Sequence, residues 1–277
     1  HIYSLNTELY YNLLNENKTA ISTGPDNYIN EIREINPHIL YLVPRVLEEV
    51  KKKLEKFDVF LIRKLIPFIL KRLFGENLIT IFMGGAKLSP NVREFYINNG
   101  INVCEGYGCT ETSPMVSVNH ITNPRDEDSI GKILDNVIVE IINGEICVSG
   151  GNVMEGYWEN EADTNKVMVK KENNIFYRTG DSGYIKDGFL YYGGRISMNY
   201  KLSNGKFVNV EEVEANIKKY TNKNLLVFGD NKDYNILIIE GIIHEEDNFL
   251  KKINKDIPKY LRIKSILSLE EGSFTRF

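Results

Sequence analysis

Cysteine is scarce: Cys104, Cys109 and Cys147 make three in all. An odd number without metal-ligand spacing argues against a metal cage and for a reducing compartment. The four histidines are scattered, so no zinc site is visible. No apolar run reaches membrane-spanning length, and no signal-peptide pattern opens the residues. A basic excess is missing too. A net charge of −4 with 26% charged residues argues against a general nucleic-acid binder, since nothing supplies the surplus that neutralises phosphates. These absences lead to the expectation of a cytoplasmic protein, peripheral at most on a membrane, whose partners are small molecules.

What is present is apolar material for real cores, 42% over 277 residues, and length for one large or two ordinary domains. Residues 5–16 have helical spacing, 19–22 read as a short strand, and 27–35 as a helix ending before Pro37. A strand at 38–43, a helix at 45–56, a strand at 78–83, a helix at 91–98 and an apolar run at 101–104 continue the pattern. Such alternation is that of a parallel α/β sheet. Residues 57–74 are apolar and basic at once. They suit either an interfacial helix on anionic lipid or a core-packed helix pair broken at Pro67, and the lack of a clean basic face favours the second. Past residue 130 the pattern turns β-rich. Two alternating runs flank Asn143-Gly144, a strong hairpin signal, and further strands lie on either side of a glycine turn at 179–183. The last block carries a helix at 210–220, strands at 225–228 and 235–241, a helix at 246–257 and a strand at 264–269, the content of a compact α+β module.

The stretch richest in chemistry is Gly106-Tyr107-Gly108-Cys109-Thr110-Glu111-Thr112-Ser113, read as a strand emptying into a polar turn. Glycines around a tyrosine let backbone approach a ligand closely. Thr110, Thr112 and Ser113 can hydrogen-bond an anion, and Glu111 can hold a hard divalent ion that bridges phosphate oxygens. An ordinary surface turn is the alternative, and the motif's company decides. Gly84-Gly85-Ala86 follows another apolar strand and permits a turn where a planar ligand could lie. Tyr177-Arg178-Thr179-Gly180-Asp181 places an acid where two vicinal ribose hydroxyls could donate to it. Gly194-Arg195 precedes a glycine-permitted turn at Gly205 and the helix from Val210.

In this order these motifs resemble the adenylate-forming, AMP-binding superfamily, and the flanking residues narrow the resemblance to long-chain acyl-CoA synthetases. His1-Ile2-Tyr3, Val43-Pro44-Arg45-Val46, Gly84-Gly85-Ala86 with Leu88-Ser89-Pro90, Gly144-Glu145-Ile146, and Gly156-Tyr157 with Thr164 carry it. The resemblance implies an α/β fold: residues 1–194 as the C-terminal part of the large domain, parallel to about 130 and β-rich after it. A small α+β domain would follow at 195–277, with a hinge at about 194–201. It implies ATP, Mg²⁺ and CoA as cofactor and co-substrates, with a fatty acid activated as acyl-adenylate and passed to CoA. Gly84, Gly85 and Ala86 would border adenine and the acyl carboxylate. Tyr107, between Gly106 and Gly108, would stack on adenine. Thr110 would bond the α-phosphate, Glu111 would hold Mg²⁺, and Asp181 would take the ribose with Arg195 beside it. His1, Gly85 and Gly108 would face the acyl substrate. Two alternatives stand beside this one: transfer to a carrier-protein thiol, and a catalytically dead nucleotide- or acyl-binding module.

The superfamily's phosphate loop with its lysine, and its late catalytic lysine, are absent from these residues. Thr23-Gly24-Pro25 has no lysine or hydroxyl run to replace the former, and Ile196-Ser197-Met198-Asn199-Tyr200 departs from the charged residues usual after the arginine. The expectation is a piece of a longer protein. The 277-residue chain alone is accordingly expected to release no pyrophosphate from ATP and palmitate, and release at an enzymatic rate overturns this.

Overall fold

A computed structural model describes residues 4–24, 27–55, 60–85, 88–120, 122, 126, 128–255 and 257–274, with backbone alone for 60–63. The chain divides into two compact units: residues 1–179 with 184–191, and residues 180–183 with 192–277.

In the first unit a π-helical stretch, Ser4–Tyr10, runs into α1 (Tyr11–Leu14). The segment expected as a strand at 19–22 is irregular. Ser22 and Thr23 hydroxyls donate instead to the Glu31 carboxylate at 2.6 and 2.5 Å, and Ile21 faces solvent. Local side-chain bonds of this kind compete with a strand that has no neighbour to pair with. Then follow α2 (Tyr28–Ile35), β1 (Ile39–Leu42), α3 (Pro44–Glu55), α4 (Phe60–Phe74), β2 (Thr80–Met83), α5 (Pro90–Asn98) and β3 (Asn102–Tyr107). Strands β1, β2 and β3 pair in parallel. Leu47, Leu70, Ile81, Met83, Tyr96 and Val103 form the centre of the core on this sheet.

Helix α4 corrects the expectation of a pair broken at Pro67: it is one helix with the proline inside. Ile66, Leu70 and Phe74 are buried at i, i+4 and i+8. Burying each such side chain is worth about 1.5–3 kcal/mol, and together they outweigh the ~3 kcal/mol that an interior proline costs.

Beyond β3 come β4 (Ser117–Val118), β5 (Lys132–Ile133), β6 (Val137–Ile142), β7 (Glu145–Gly150), α6 (Glu161–Val167), β8 (Met168–Lys171), β9 (Asn174–Lys186) and β10 (Phe189–Arg195). Among the described residues they extend the parallel part into one ten-stranded sheet, in the order β1-β2-β3-β4-β5-β10-β9-β7-β6 with β8 on β9. The β6–β7 hairpin closes at Asn143 and Gly144, both with φ in the left-handed region, as the two-residue turn requires. The glycine turn expected at 179–183 is instead the middle of β9. Gly180, with φ +73, takes up the irregularity without ending the strand.

The second unit carries β11 (Tyr200–Lys201), β12 (Phe207–Val208), α7 (Val210–Lys218), β13 (Leu225–Phe228), β14 (Asn235–Glu240), α8 (Glu246–Ile253) and β15 (Ile263–Leu269). Strand β14 pairs antiparallel with β13 and parallel with β15. Val213, Ile217, Leu237, Ile239 and Ile253 close its core. A buried Asn235 receives the Tyr200 hydroxyl at 2.7 Å and donates to the Tyr260 carbonyl at 3.1 Å, across the irregular start of the β14–β15 register.

Glu214 of α7 accepts the Val227 N–H at 2.8 Å, and burial pushes its carboxyl above the ordinary glutamate value of 4.5. The folded state therefore binds this proton more tightly than the unfolded chain. The stability it contributes is present below the ordinary value and is lost as pH rises through the folded one. Glu214→Gln keeps the acceptor and removes the charge. Its thermal midpoint is expected to exceed the native one at pH 7 by more than it does at pH 4, and an equal offset at both pH values counts against it.

Candidate nucleotide and acid site

The candidate site starts where β2 and β3 end. Met83 is in register with Glu105, so Gly84 follows β2 next to the end of β3. Glu105 is buried, and its two oxygens are divided. Oε1 accepts the Leu88 N–H at 2.8 Å, just past the glycine turn, while Oε2 takes Arg93 Nη1 of α5 at 2.9 Å. One carboxylate thus holds the return of the Gly84-Gly85 turn against the strand that delivers Tyr107. Gly84 is buried, and Gly85, with φ +86 and open space at its Cβ position, is exposed. Ala86 and His1 lie outside the described residues.

Gly106 and Tyr107 belong to β3 rather than to the turn after it, because they pair with Val118 and Ser117 of β4. Gly108 has a steric reason of its own: a Cβ there would meet the Pro114 carbonyl oxygen at 1.6 Å. The close approach it permits is to its own loop. A 3₁₀ turn, Thr110–Thr112, follows. Thr112 is buried; its hydroxyl accepts the Cys109 N–H at 2.9 Å and donates to the Cys109 carbonyl at 3.1 Å. Thr112 therefore closes the turn, correcting its expected use toward an anion. Thr110 and Ser113 are exposed and Glu111 is half-buried.

Glu111 is gripped from the segment after β7. The Met154 N–H donates to its carbonyl at 2.8 Å, and Asn152 Nδ2 donates to the carbonyls of Thr112 at 3.1 Å and Met115 at 2.9 Å. The Tyr157 hydroxyl donates to Glu111 Oε1 at 2.9 Å. Burial, then the Glu111 hydrogen bond, raises the Tyr157 hydroxyl; burial does the same to Tyr177 and to the Cys109 thiol. The Tyr157 phenol is therefore a neutral donor around neutral pH.

Among the described residues no group of three or more His, Cys, Asp or Glu side chains converges to hold a metal. A magnesium ion bound through one carboxylate and the phosphates of a nucleotide needs no such cage. Glu111, half-buried beside the exposed Thr110 hydroxyl, fits that pattern.

In the second unit Arg195 Nε lies 3.2 Å from Asp181 Oδ1, the aspartate buried and the arginine half-exposed. Asp181 stands on a strand, not in the expected turn. The backbone N–H of Arg195 and the hydroxyl of Tyr192 donate to Glu211 Oε1 at 3.3 and 3.1 Å. Asn209 donates to the Gly193 carbonyl and accepts the Glu212 N–H at 3.3 Å, capping α7. The expected hinge residues include a short 3₁₀ turn, Ile196–Met198.

The family model for AMP-binding enzymes matches residues 1–158, more than half of the sequence. The chain belongs to the AMP-binding enzyme family. It is 31% identical over 181 residues to the long-chain-fatty-acid–CoA ligase FadD15 of Mycobacterium bovis, covering 64% of this chain and 28% of that one. It is 28% identical over 182 residues to the D-alanine–D-alanyl carrier protein ligase of Lactococcus lactis, covering 62% and 36%. The chain thus spans about a third of the length of these two curated relatives. The anthranilate CoA ligase AuaEII in complex with anthranoyl-AMP superposes with a TM-score of 0.77 at 16% identity, over 99% of this chain and 55% of that one. O-succinylbenzoate CoA synthetase from Bacillus subtilis, in complex with ATP and magnesium, does so with a TM-score of 0.72 at 20% identity, over 97% and 56%. The fold of this AMP-binding family member is that of the adenylate-forming enzymes.

Within the site, sequence reasoning gave no role to Tyr157, Asn152 or Glu105. A charged residue inside the apolar run of β3 was the one signal for Glu105. Gly108→Ala is expected to lower the unfolding free energy by at least about 2 kcal/mol, because its Cβ would strike fixed backbone. Gly106→Ala, whose Cβ meets the flexible end of Met115 at 2.7 Å, costs less. Urea melts of the two variants check the order, and equal midpoints refute it.

Proposed function

We propose that the whole protein is an ATP-dependent acid–thiol ligase that activates a long-chain fatty acid and transfers it to CoA. The observation that carries this reading is Glu111: a half-buried carboxylate oriented by Tyr157, next to an exposed threonine, at the end of a sheet strand in an AMP-binding family member. The fatty-acid carboxylate oxygen attacks the α-phosphorus of ATP, and the bond to pyrophosphate breaks with its electrons leaving on pyrophosphate. The CoA sulfur, its proton lost, then attacks the acyl carbonyl carbon, and the bond to AMP breaks.

Such a reaction asks for alignment and charge neutralisation rather than for a protein nucleophile. Thr110 donates to the α-phosphate. Glu111 would hold Mg²⁺, which supplies charge neutralisation on the phosphates. Tyr107 offers a ring face to adenine. Asp181, kept in place by Arg195, accepts from the ribose hydroxyls. Gly84, Gly85, Ala86, Gly106 and Gly108 border the nucleotide and the acyl group, and His1 approaches the acyl carboxylate.

The likeness to FadD15 supports a long-chain acid. The likeness to the D-alanyl carrier protein ligase supports a second reading, in which the thiol belongs to a carrier protein. Pyrophosphate–ATP exchange by the whole protein, with palmitate, coumarate and alanine as separate acids, tests both the activity and the acid. Exchange is expected with palmitate, and Glu111→Ala should lower it by roughly 100-fold, the scale of losing one electrostatic element of a transition-state site. Exchange driven by alanine or coumarate and not by palmitate overturns the fatty-acid assignment. Accumulation of palmitoyl-CoA, against no product with CoA as the only thiol, separates the two acceptors.

A further inference from the structure

The carboxylate at position 111 is oriented by a phenol from another part of the first unit. Tyr157 lies between β7 and α6, and Glu111 in the 3₁₀ turn after β3. A phenol has one O–H to give, and Tyr157 spends it on Glu111 Oε1 at 2.9 Å. The same segment that brings Tyr157 also binds the Glu111 carbonyl through Met154 at 2.8 Å. Main chain and side chain of Glu111 are therefore both fixed from outside its own turn. A glutamate on a three-residue turn has several open rotamers, and these contacts select one.

We infer that Tyr157 is a positioning residue that presents the Glu111 carboxylate in one orientation to the divalent cation accompanying a nucleoside triphosphate. The inference rests on the reading of Glu111 as the carboxylate that takes this cation. Tyr157 does not touch the ion in this arrangement; it acts through Glu111. Outer partners of metal-binding side chains act in this way, by fixing orientation.

The test is manganese(II) titrated with ATP into the protein and followed by its electron paramagnetic resonance signal. It is run on the native protein, Tyr157→Phe, Glu111→Gln and the double variant Tyr157→Phe/Glu111→Gln. Binding of AMP without metal is measured alongside each. Tyr157→Phe is expected to weaken nucleotide-dependent manganese binding about 10-fold, with AMP affinity unchanged. The double variant should bind manganese no more weakly than Glu111→Gln, because the phenol has no other route to the ion. Native-like manganese binding by Tyr157→Phe, or additive losses in the double variant, overturn the inference while the nucleotide reading stands. Absence of nucleotide-dependent manganese binding in the native protein overturns both. Should Tyr157→Phe fail to hold AMP, Tyr157→Leu takes its place, and native manganese binding in that variant overturns the inference.

Discussion

The buried carboxylate of Glu105 is the contact on which the first unit's glycine turns depend. It sits where the parallel strands end, in register with Met83, with Arg93 on one oxygen and the Leu88 N–H on the other. Its own carbonyl accepts the Asn119 N–H at 2.9 Å, so the start of the antiparallel extension is tied to the same residue. A carboxylate out of water is tolerable only with all this satisfied, and removing one partner of such a pair costs about 3–5 kcal/mol. The charge adds little net stability against an apolar pair of the same volume. What it contributes is geometry, since one residue sets the positions of two successive strand ends.

The polar turn after β3 is organised by its own backbone as much as by anything it could bind. Thr112 closes it, Gly108 lets it fold against Pro114, and Asn152 ties it to the strand β7 side of the sheet. Those residues look like ligand-binding chemistry on paper and work as scaffold. Thr110 is left exposed, and Glu111 is half-buried with one oxygen taken by Tyr157. Preorganisation of this kind means little reorganisation when charge arrives, which is how fixed dipoles and carboxylates gain their effect in a site.

The second unit applies the same economy. Asp181 is held by Arg195, and the Gly193-Gly194-Arg195 backbone is held to the start of α7 by Asn209 and Glu211. A Cβ at Gly194 would meet Asn209 Oδ1 at 2.9 Å, so this contact and the capping of α7 share one tight spot. Desolvation raises the Tyr192 hydroxyl and keeps it a donor to Glu211.

The sequence by itself determined the parallel α/β opening, the Asn143-Gly144 hairpin, the α+β ending, and the set of residues worth suspecting, because periodicity and turn chemistry are local. It also carried the family resemblance, since motif order survives without coordinates. It misjudged elements whose state depends on distant partners. Pro67 stays inside a helix because Leu70 and Phe74 are buried, Asp181 lies on a strand because Gly180 absorbs the irregularity, and residues 19–22 pair with no strand among the described residues. Only the tertiary structure decided that Thr112 is spent internally and that Tyr157 aims Glu111. Those contacts join residues up to 46 positions apart, from Glu111 to Tyr157, and a hydrogen bond made across a fold leaves no spacing rule in the chain to read.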